Sequence, residues 1–200
     1  MEEMMSNLPV VRVVLVGSLM SQDVRKGCIP REDEIIKFQF SKDIQEKILE
    51  EYNISRIFCA SDVFLDPEYF ILEKNIVCEP KLKNRNYGIL AGRNLKSLTA
   101  AEQGQFVNPE YSLVGGESLY AFHVRLKTWL DSLFDKAKNQ ETFLIIASPV
   151  TVRALSACIM ADDIKSSFRI LNKIDVFPES WSVFSGRRGN WRILTLSAPF

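Results

Sequence analysis

Two hundred residues make about one domain, with 46% apolar residues for a core and 25 basic side chains balancing 25 acidic ones. Zero net charge speaks against a nucleic-acid binder, whose affinity rests on Lys and Arg neutralising phosphates, and no apolar stretch reaches the ~18 residues a bilayer span needs. One histidine, His123, and four cysteines 31, 19 and 80 residues apart with no C-x-x-C pair leave no expected metal site, cofactor or disulfide framework.

The acidic start Met1–Asn7 leads into a strand-like run, the wrong pattern for a secretory signal. A reduced, cytoplasmic, single-domain protein spanning residues 1–200 is therefore expected, with no nucleic-acid or membrane partner. From Val10 to Leu19 the run VVRVVLVGSL is apolar and β-branched, the composition of a strand buried on both faces. Gln22 to Phe40 is polar, carries Gly27, Pro30 and a charge cluster, and reads as a loop. Ser41 can cap a helix over Asp43–Tyr52, where Ile44, Ile48 and Leu49 recur at helical spacing. Ile54–Ala60 reads as a second buried strand, Pro67–Lys74 as a weaker helix and Asn75–Cys78 as a third strand. A glycine-punctuated loop over Lys81–Arg93 precedes a helix over Asn94–Gln105. The longest helix spans Ser118–Lys138, with Leu119, Phe122, Leu126, Trp129, Leu130 and Leu133 on one face. Phe143–Ala147 is strand-like, and a helix over Val150–Met160 opens after Ser148-Pro149. Ile174–Phe177, Ser180–Ser185 and Trp191–Leu196 complete the strands, with a turn at Gly186–Gly189 joining the last two. This alternation implies an α/β fold of three layers: a mainly parallel sheet with helices on both faces, closed by an antiparallel hairpin. Ligands of such sheets bind outside the carboxyl ends of the strands, so the loops after Val16, Ala60 and Ala147 matter most.

Several segments have the order and spacing of one family. Leu82-Lys83-Asn84-Arg85-Asn86-Tyr87-Gly88-Ile89-Leu90-Ala91-Gly92 follows the pattern L-x-E-R-x-Y-G-x-x-x-G. Gly116-Glu117-Ser118-Leu119, with Arg125 eight residues after the Glu, follows G-E-S-L at the start of a long helix. Ile145-Ile146-Ala147 before Val152-Arg153-Ala154-Leu155, and the late Gly189-Asn190-Trp191, fit a strand with its helix and a G-x-W strand. On these residues the chain resembles the histidine phosphatase superfamily, the phosphoglycerate mutase-like group, over most of its length.

The resemblance implies a reaction and also identifies what is missing from it. The family's first strand ends in L-V-R-H-G-E, whose histidine takes the phosphoryl group; here the strand ends Leu15-Val16-Gly17-Ser18-Leu19-Met20, with Ser18 at the nucleophile and Gly17 at the arginine. Leu65, beside Asp66, stands for a second phosphate arginine, and Asn84 for the acid that protonates the leaving group. In place of S-H-G-G after the late strand is Ser148-Pro149-Val150, so Ser148 stands for the second histidine. The resemblance thus implies a degenerate member lacking both catalytic histidines, and His123, inside the long helix, is read as a surface or satisfied helix residue.

Ser18, Arg85, Tyr87, Glu117, Ser148 and Arg153 are the expected ligand-binding residues, two serine hydroxyls, a phenol, a carboxylate and two guanidinium groups among apolar walls. Against this stands a plainer reading: Glu117 favours the positive end of its helix, Arg125 and Arg153 make structural ion pairs, and the serines fill space. Three functions remain open. The first is a pseudoenzyme binding a small molecule or protein partner in the cleft. The second is a repurposed biosynthetic enzyme running a dehydration, cyclisation or acyl transfer with Ser18, Glu117 or Ser148. The third is a structural subunit of a homo- or hetero-oligomer.

Overall fold

The β-branched runs lie side by side in the centre of one sheet. The strands in chain order are β1 (Val10–Gly17), β2 (Ile36–Phe38), β3 (Ile54–Ala60), β4 (Val63–Leu65), β5 (Ile76–Glu79), β6 (Gln140–Ala147), β7 (Ser180–Arg187) and β8 (Asn190–Pro199). They were traced in a computed structural model that describes residues 9–38, 41–68, 70 and 76–199. Six of them form the order β5-β3-β6-β1-β7-β8, and β2 pairs with β4 separately. In the large sheet β5, β3, β6 and β1 pair in parallel, and β7 runs antiparallel to both β1 and β8.

The helices are α1 (Gln22–Arg25), α2 (Lys42–Glu51), α3 (Ala100–Val107), α4 (Leu119–Lys136), α5 (Pro149–Met160) and α6 (Ile164–Leu171). The starts of α1 to α5 follow from hydroxyl caps and that of α6 from the Asp163 carboxylate, each taking one backbone N–H that the first turn leaves free. Ser41 accepts from Ile44, Ser118 from Ala121 at 3.0 Å and Ser148 from Thr151 at 3.2 Å. Trp129 of α4 sits edge-on to Phe58 of β3 at 5.4 Å, fastening the long helix to the sheet centre. None of the helices among the described residues is long and apolar enough to cross a membrane.

Three expectations need correction, and one helix is additional to them. Gln22–Phe40 is not all loop: Ser21 caps α1, and Ile36–Phe38 finds the edge of Val63–Leu65. The helix expected over Asn94–Gln105 is interrupted, because Thr99 and Glu102 form a reciprocal capping box that restarts the chain as α3. Ile174–Phe177 joins no strand: Ile174 donates its N–H to Ile170, its carbonyl accepts from Arg153, and Phe177 donates to the Ser197 hydroxyl. Helix α6 was not anticipated, although Asp163 caps it and Ile164, Phe168 and Leu171 recur at helical spacing. The helix expected over Pro67–Lys74 falls largely outside the described residues, and within them Pro67 and Glu68 form a turn.

Candidate functional site

At the carboxyl ends of β1 and β6 stand Ser18 and Ser148, both buried. The Ser18 N–H donates to the Ala147 carbonyl at 2.8 Å, which ties the two ends together, and its hydroxyl donates to Leu19 at 3.3 Å. The Ser148 hydroxyl caps α5 and donates to Thr151 Oγ1 at 3.1 Å. The space beside Ser148 is bounded by Leu19, Met20, Ile36, Pro149 and Val150 and amounts to about 20 Å³, room for little more than one water.

Open space lies one step to the side, where the β3–β4 turn meets the loop over residues 83–86 and the segment before α4. A pocket of about 320 Å³ is lined there by Arg31, Glu32, Asp62, Lys83, Asn84, Arg85, Asn86, Glu117 and Arg125, among others. Its walls are held by two loops pressed backbone to backbone. Ile89 N–H donates to the Val114 carbonyl, and Glu117 N–H to Asn86. The contact requires glycine on both sides: Gly88 has φ +51°, and a Cβ there would lie 2.0 Å from the Val114 carbonyl oxygen.

Within the pocket most charges are already matched. Arg125 Nη2 lies 2.5 Å from Glu117 Oε1 and donates from Nη1 to the Lys81 and Lys83 carbonyls, while Lys83 meets Glu32 at 3.5 Å. Glu117 also accepts from the Asn86 N–H, so its carboxylate is engaged rather than poised as a base.

Asp62 and Arg85 differ, each only 6% exposed. Asp62 Oδ2 accepts from the Asn84 N–H at 2.9 Å, and its Oδ1 has no partner. Arg85 Nε donates to the Glu117 carbonyl at 3.1 Å, its guanidinium lies over the Tyr87 ring at 5.3 Å, and its Nη2 has no partner. A buried polar atom left unpaired costs about 1–3 kcal/mol. Burial holds the Asp62 carboxyl above its usual range, opposed by the Asn84 and own-backbone N–H groups and the Lys83 and Arg125 charges. Burial likewise lowers the Arg85 pKa, opposed by Tyr87 and Glu117.

Of the residues expected to bind a ligand, Arg85 and Glu117 line the pocket. Tyr87 stacks on Phe106 at 5.8 Å behind it, and Ser18 and Ser148 lie at the filled strand ends. Arg153 faces elsewhere, donating to the Ile174 carbonyl at 2.9 Å and the Leu171 carbonyl at 2.7 Å, so it anchors the end of α6. Arg153→Met should lower unfolding stability by about 2 kcal/mol at unchanged denaturant slope, read by urea titration. Asp62 and Arg31 were not among the expected residues. The sign that could have found Asp62 is its place directly after β3, at a strand carboxyl end.

His123 is fully buried on α4. Its Nδ1 lies 2.7 Å from Ser167 Oγ and 3.6 Å from Cys158 Sγ, and the Phe168 ring is 4.9 Å away.

A mainly parallel sheet flanked by helices, with its pocket outside the carboxyl ends of the strands, defines an α/β protein of the phosphoglycerate mutase-like kind. The chain belongs to the histidine phosphatase superfamily (branch 1), which it matches over residues 70–199. No curated protein matches it in sequence. Among solved structures it is similar to Bacillus stearothermophilus YhfR, at 13% identity, TM-score 0.72 and coverage of 95% of this chain and 98% of that one. It is also similar to the alpha-ribazole phosphatase of Shigella flexneri, at 13% identity, TM-score 0.68 and coverage of 94% and 96%. A phosphoserine phosphatase of Entamoeba histolytica aligns at 14% identity and TM-score 0.68, covering 94% and 97%. At these identities the likeness is one of fold.

Proposed function

We propose that this chain is a non-catalytic member of its superfamily, lacking both catalytic histidines, that holds a small ligand in the pocket beside its strand ends. The carrying observation is the side-chain chemistry at those ends. Ser18 and Ser148 are buried with their hydroxyls engaged by their own neighbours, and the chain's one imidazole is enclosed by Ser167, Cys158 and Phe168. A serine attacks phosphorus only with an adjacent base, and no histidine stands beside either serine. The filled space at Leu19, Pro149 and Val150 supports the same reading, as does Asn84, an amide that cannot protonate a leaving group near neutral pH.

Retention of the loop over residues 82–92 and the Gly116-Glu117-Ser118 segment is explained by their mutual docking, so it needs no catalytic role. With p-nitrophenyl phosphate the protein should show no turnover above buffer from mildly acid to mildly alkaline pH. Removing the nucleophile of a catalytic triad alone costs about 10⁶ in rate. Turnover that survives chelation and disappears in Ser18→Ala overturns the reading.

One observation favours a second reading, a repurposed enzyme: a buried carboxyl with a raised pKa in a pocket is a common acid–base arrangement. On that reading the reacting group is Asp62 rather than Ser18, Ser148 or the ion-paired Glu117. A mass change in a candidate biosynthetic intermediate, lost in Asp62→Asn, would support it.

A further inference from the structure

Two of the four cysteines stand side by side. Cys59 lies on β3 and Cys78 on β5, 19 residues apart in sequence, and the parallel pairing of these strands sets them in direct register. Both are free thiols. Neighbouring strands run about 4.8 Å apart, inside the roughly 4.4–6.8 Å between Cα atoms that a disulfide spans. Partners in register also carry their side chains on the same face of the sheet. The nearness is felt electrostatically: the Cys78 thiolate is among the charges that hold the Cys59 pKa at about 12, after burial and ahead of Asp62. The two thiols differ in access. Cys59 is 4% exposed, and its Sγ donates to the Ala60 and Val63 carbonyls, each at 3.5 Å. Cys78 is exposed, on the strand at the edge of the sheet. An oxidant from solvent therefore meets the outer sulfur first, with the inner one directly beside it. Cys28 lies opposite Asn94 instead, and Cys158 beside His123 on α5.

We propose that Cys59 and Cys78 form a reversible disulfide, tying the edge strand β5 to β3, when the chain meets a small disulfide oxidant such as oxidised glutathione. The Cys78 thiolate attacks one sulfur of the oxidant, which forms a mixed disulfide and releases one reduced glutathione. Cys59 then gives up its proton and attacks the Cys78 sulfur. The Sγ–Sγ bond forms, the bond to glutathione breaks, and the second reduced glutathione leaves with the proton. Two electrons have passed from the cysteine pair to the oxidant. A turn about the Cα–Cβ bond of Cys59 carries its sulfur from the two carbonyls to its neighbour, at the loss of two weak S–H contacts. A thiol held at about 12 attacks slowly at neutral pH, so the second step limits the rate. Because Cys78 lies at the surface, a thiol reductant reopens the bond by the reverse steps.

The test is oxidation of the reduced full chain by oxidised glutathione, followed by mass mapping of unreduced tryptic peptides. Lys74 lies between the two cysteines, so trypsin opens the chain there and leaves their peptides joined only through the disulfide. The main crosslink should join the Cys59 and Cys78 peptides, with no glutathione retained on either, and dithiothreitol should reverse it. A glutathione adduct on Cys78 should appear first, and its closure should quicken about tenfold per pH unit as the Cys59 thiolate fraction rises. Cys78→Ser, an exposed change at the sheet edge, should abolish the crosslink and leave Cys59 unmodified. Cys28→Ser should leave the crosslink intact. An adduct on Cys78 that fails to close between about pH 7 and about pH 9 overturns the proposal. So does a dominant crosslink through Cys28 or Cys158, a link between the Cys78 residues of two chains, or a Cys78 that does not react at all.

Discussion

Gly88→Ala should destabilise the protein by roughly 3–5 kcal/mol, among the larger effects a single methyl group can have. Two causes add. The residue sits at φ +51°, where a side chain meets its own backbone, and its new Cβ would approach the Val114 oxygen to 2.0 Å and Gly116 N to 2.7 Å. Both obstacles are backbone, so no rotamer change relieves them, and the loops must part. Parting them breaks the Ile89–Val114 and Glu117–Asn86 hydrogen bonds and removes one wall of the pocket. Gly104→Ala is the natural control, because it lies in α3 with nothing within 4 Å of its added Cβ. There the same change should stabilise by up to about 1 kcal/mol through helix propensity. Opposite signs in urea denaturation are the expected result. A neutral Gly88→Ala would mean that the loop contact is not what holds the wall.

The parts of this architecture legible beforehand are those where one local rule acts alone. The runs at Val10, Ile54 and Phe143 are β-branched and apolar because each is covered on both faces, and they emerge as β1, β3 and β6. Ser41, Ser118 and Ser148 mark helix starts because a hydroxyl answers a free N–H within three residues. Legibility fails where a distant side chain decides. Ile174–Phe177 has strand composition, but Arg153, 21 residues away, takes the Ile174 carbonyl. The three-residue pairing of β2 with β4 exists only because the fold brings the Val63 segment beside Ile36.

The candidate site shows the same division. Arg85 and Glu117 could be singled out by motif. Their partners could not, since whether a carboxylate is engaged depends on Arg125 arriving from the second turn of α4. Asp62 belongs to no motif, and its significance lies in what it lacks, a second partner inside a buried turn. As site residues, Ser18 and Ser148 are marked by the family resemblance alone. Apolar side chains fill the space beside Ser148, and the open pocket lies away from both serines.

Acidification should weaken the fold by about 3 kcal/mol between pH 6.5 and pH 4 through His123 alone. Ser167 Oγ donates to the Ile164 carbonyl at 2.6 Å, so toward His123 it acts as acceptor and fixes the proton on Nδ1. Nε2 is then an unprotonated, buried atom with no partner. Adding a proton there creates an imidazolium shut away from water, with the Arg85 guanidinium as a further repulsion, and the pKa falls from 6.5 to about 4. The unfolded chain takes up this proton near 6.5 and the folded one only near 4, so stability is full above the unfolded value and declines as pH falls through the interval. A depression of about 2.5 units corresponds to about 3 kcal/mol. Other groups act mostly outside the window or against it. Glu102, drawn from 4.5 to about 2 mainly by its Arg93 hydrogen bond, begins to lose its contribution near pH 4.5 and loses most of it below the window. Asp62, with its raised pKa, contributes in the opposite sense near the carboxylate range. Cys158, pushed to about 12 by burial, stays a thiol throughout. His123→Asn isolates the histidine, because its amide can still donate to Ser167 from near the Nδ1 position without titrating. The variant starts less stable for lack of the ring, and its stability should be nearly flat from about pH 6.5 to about pH 5, where the parent's declines. Parallel curves for the two proteins would show that His123 is not held neutral by its surroundings, and the fixed tautomer would fall with it.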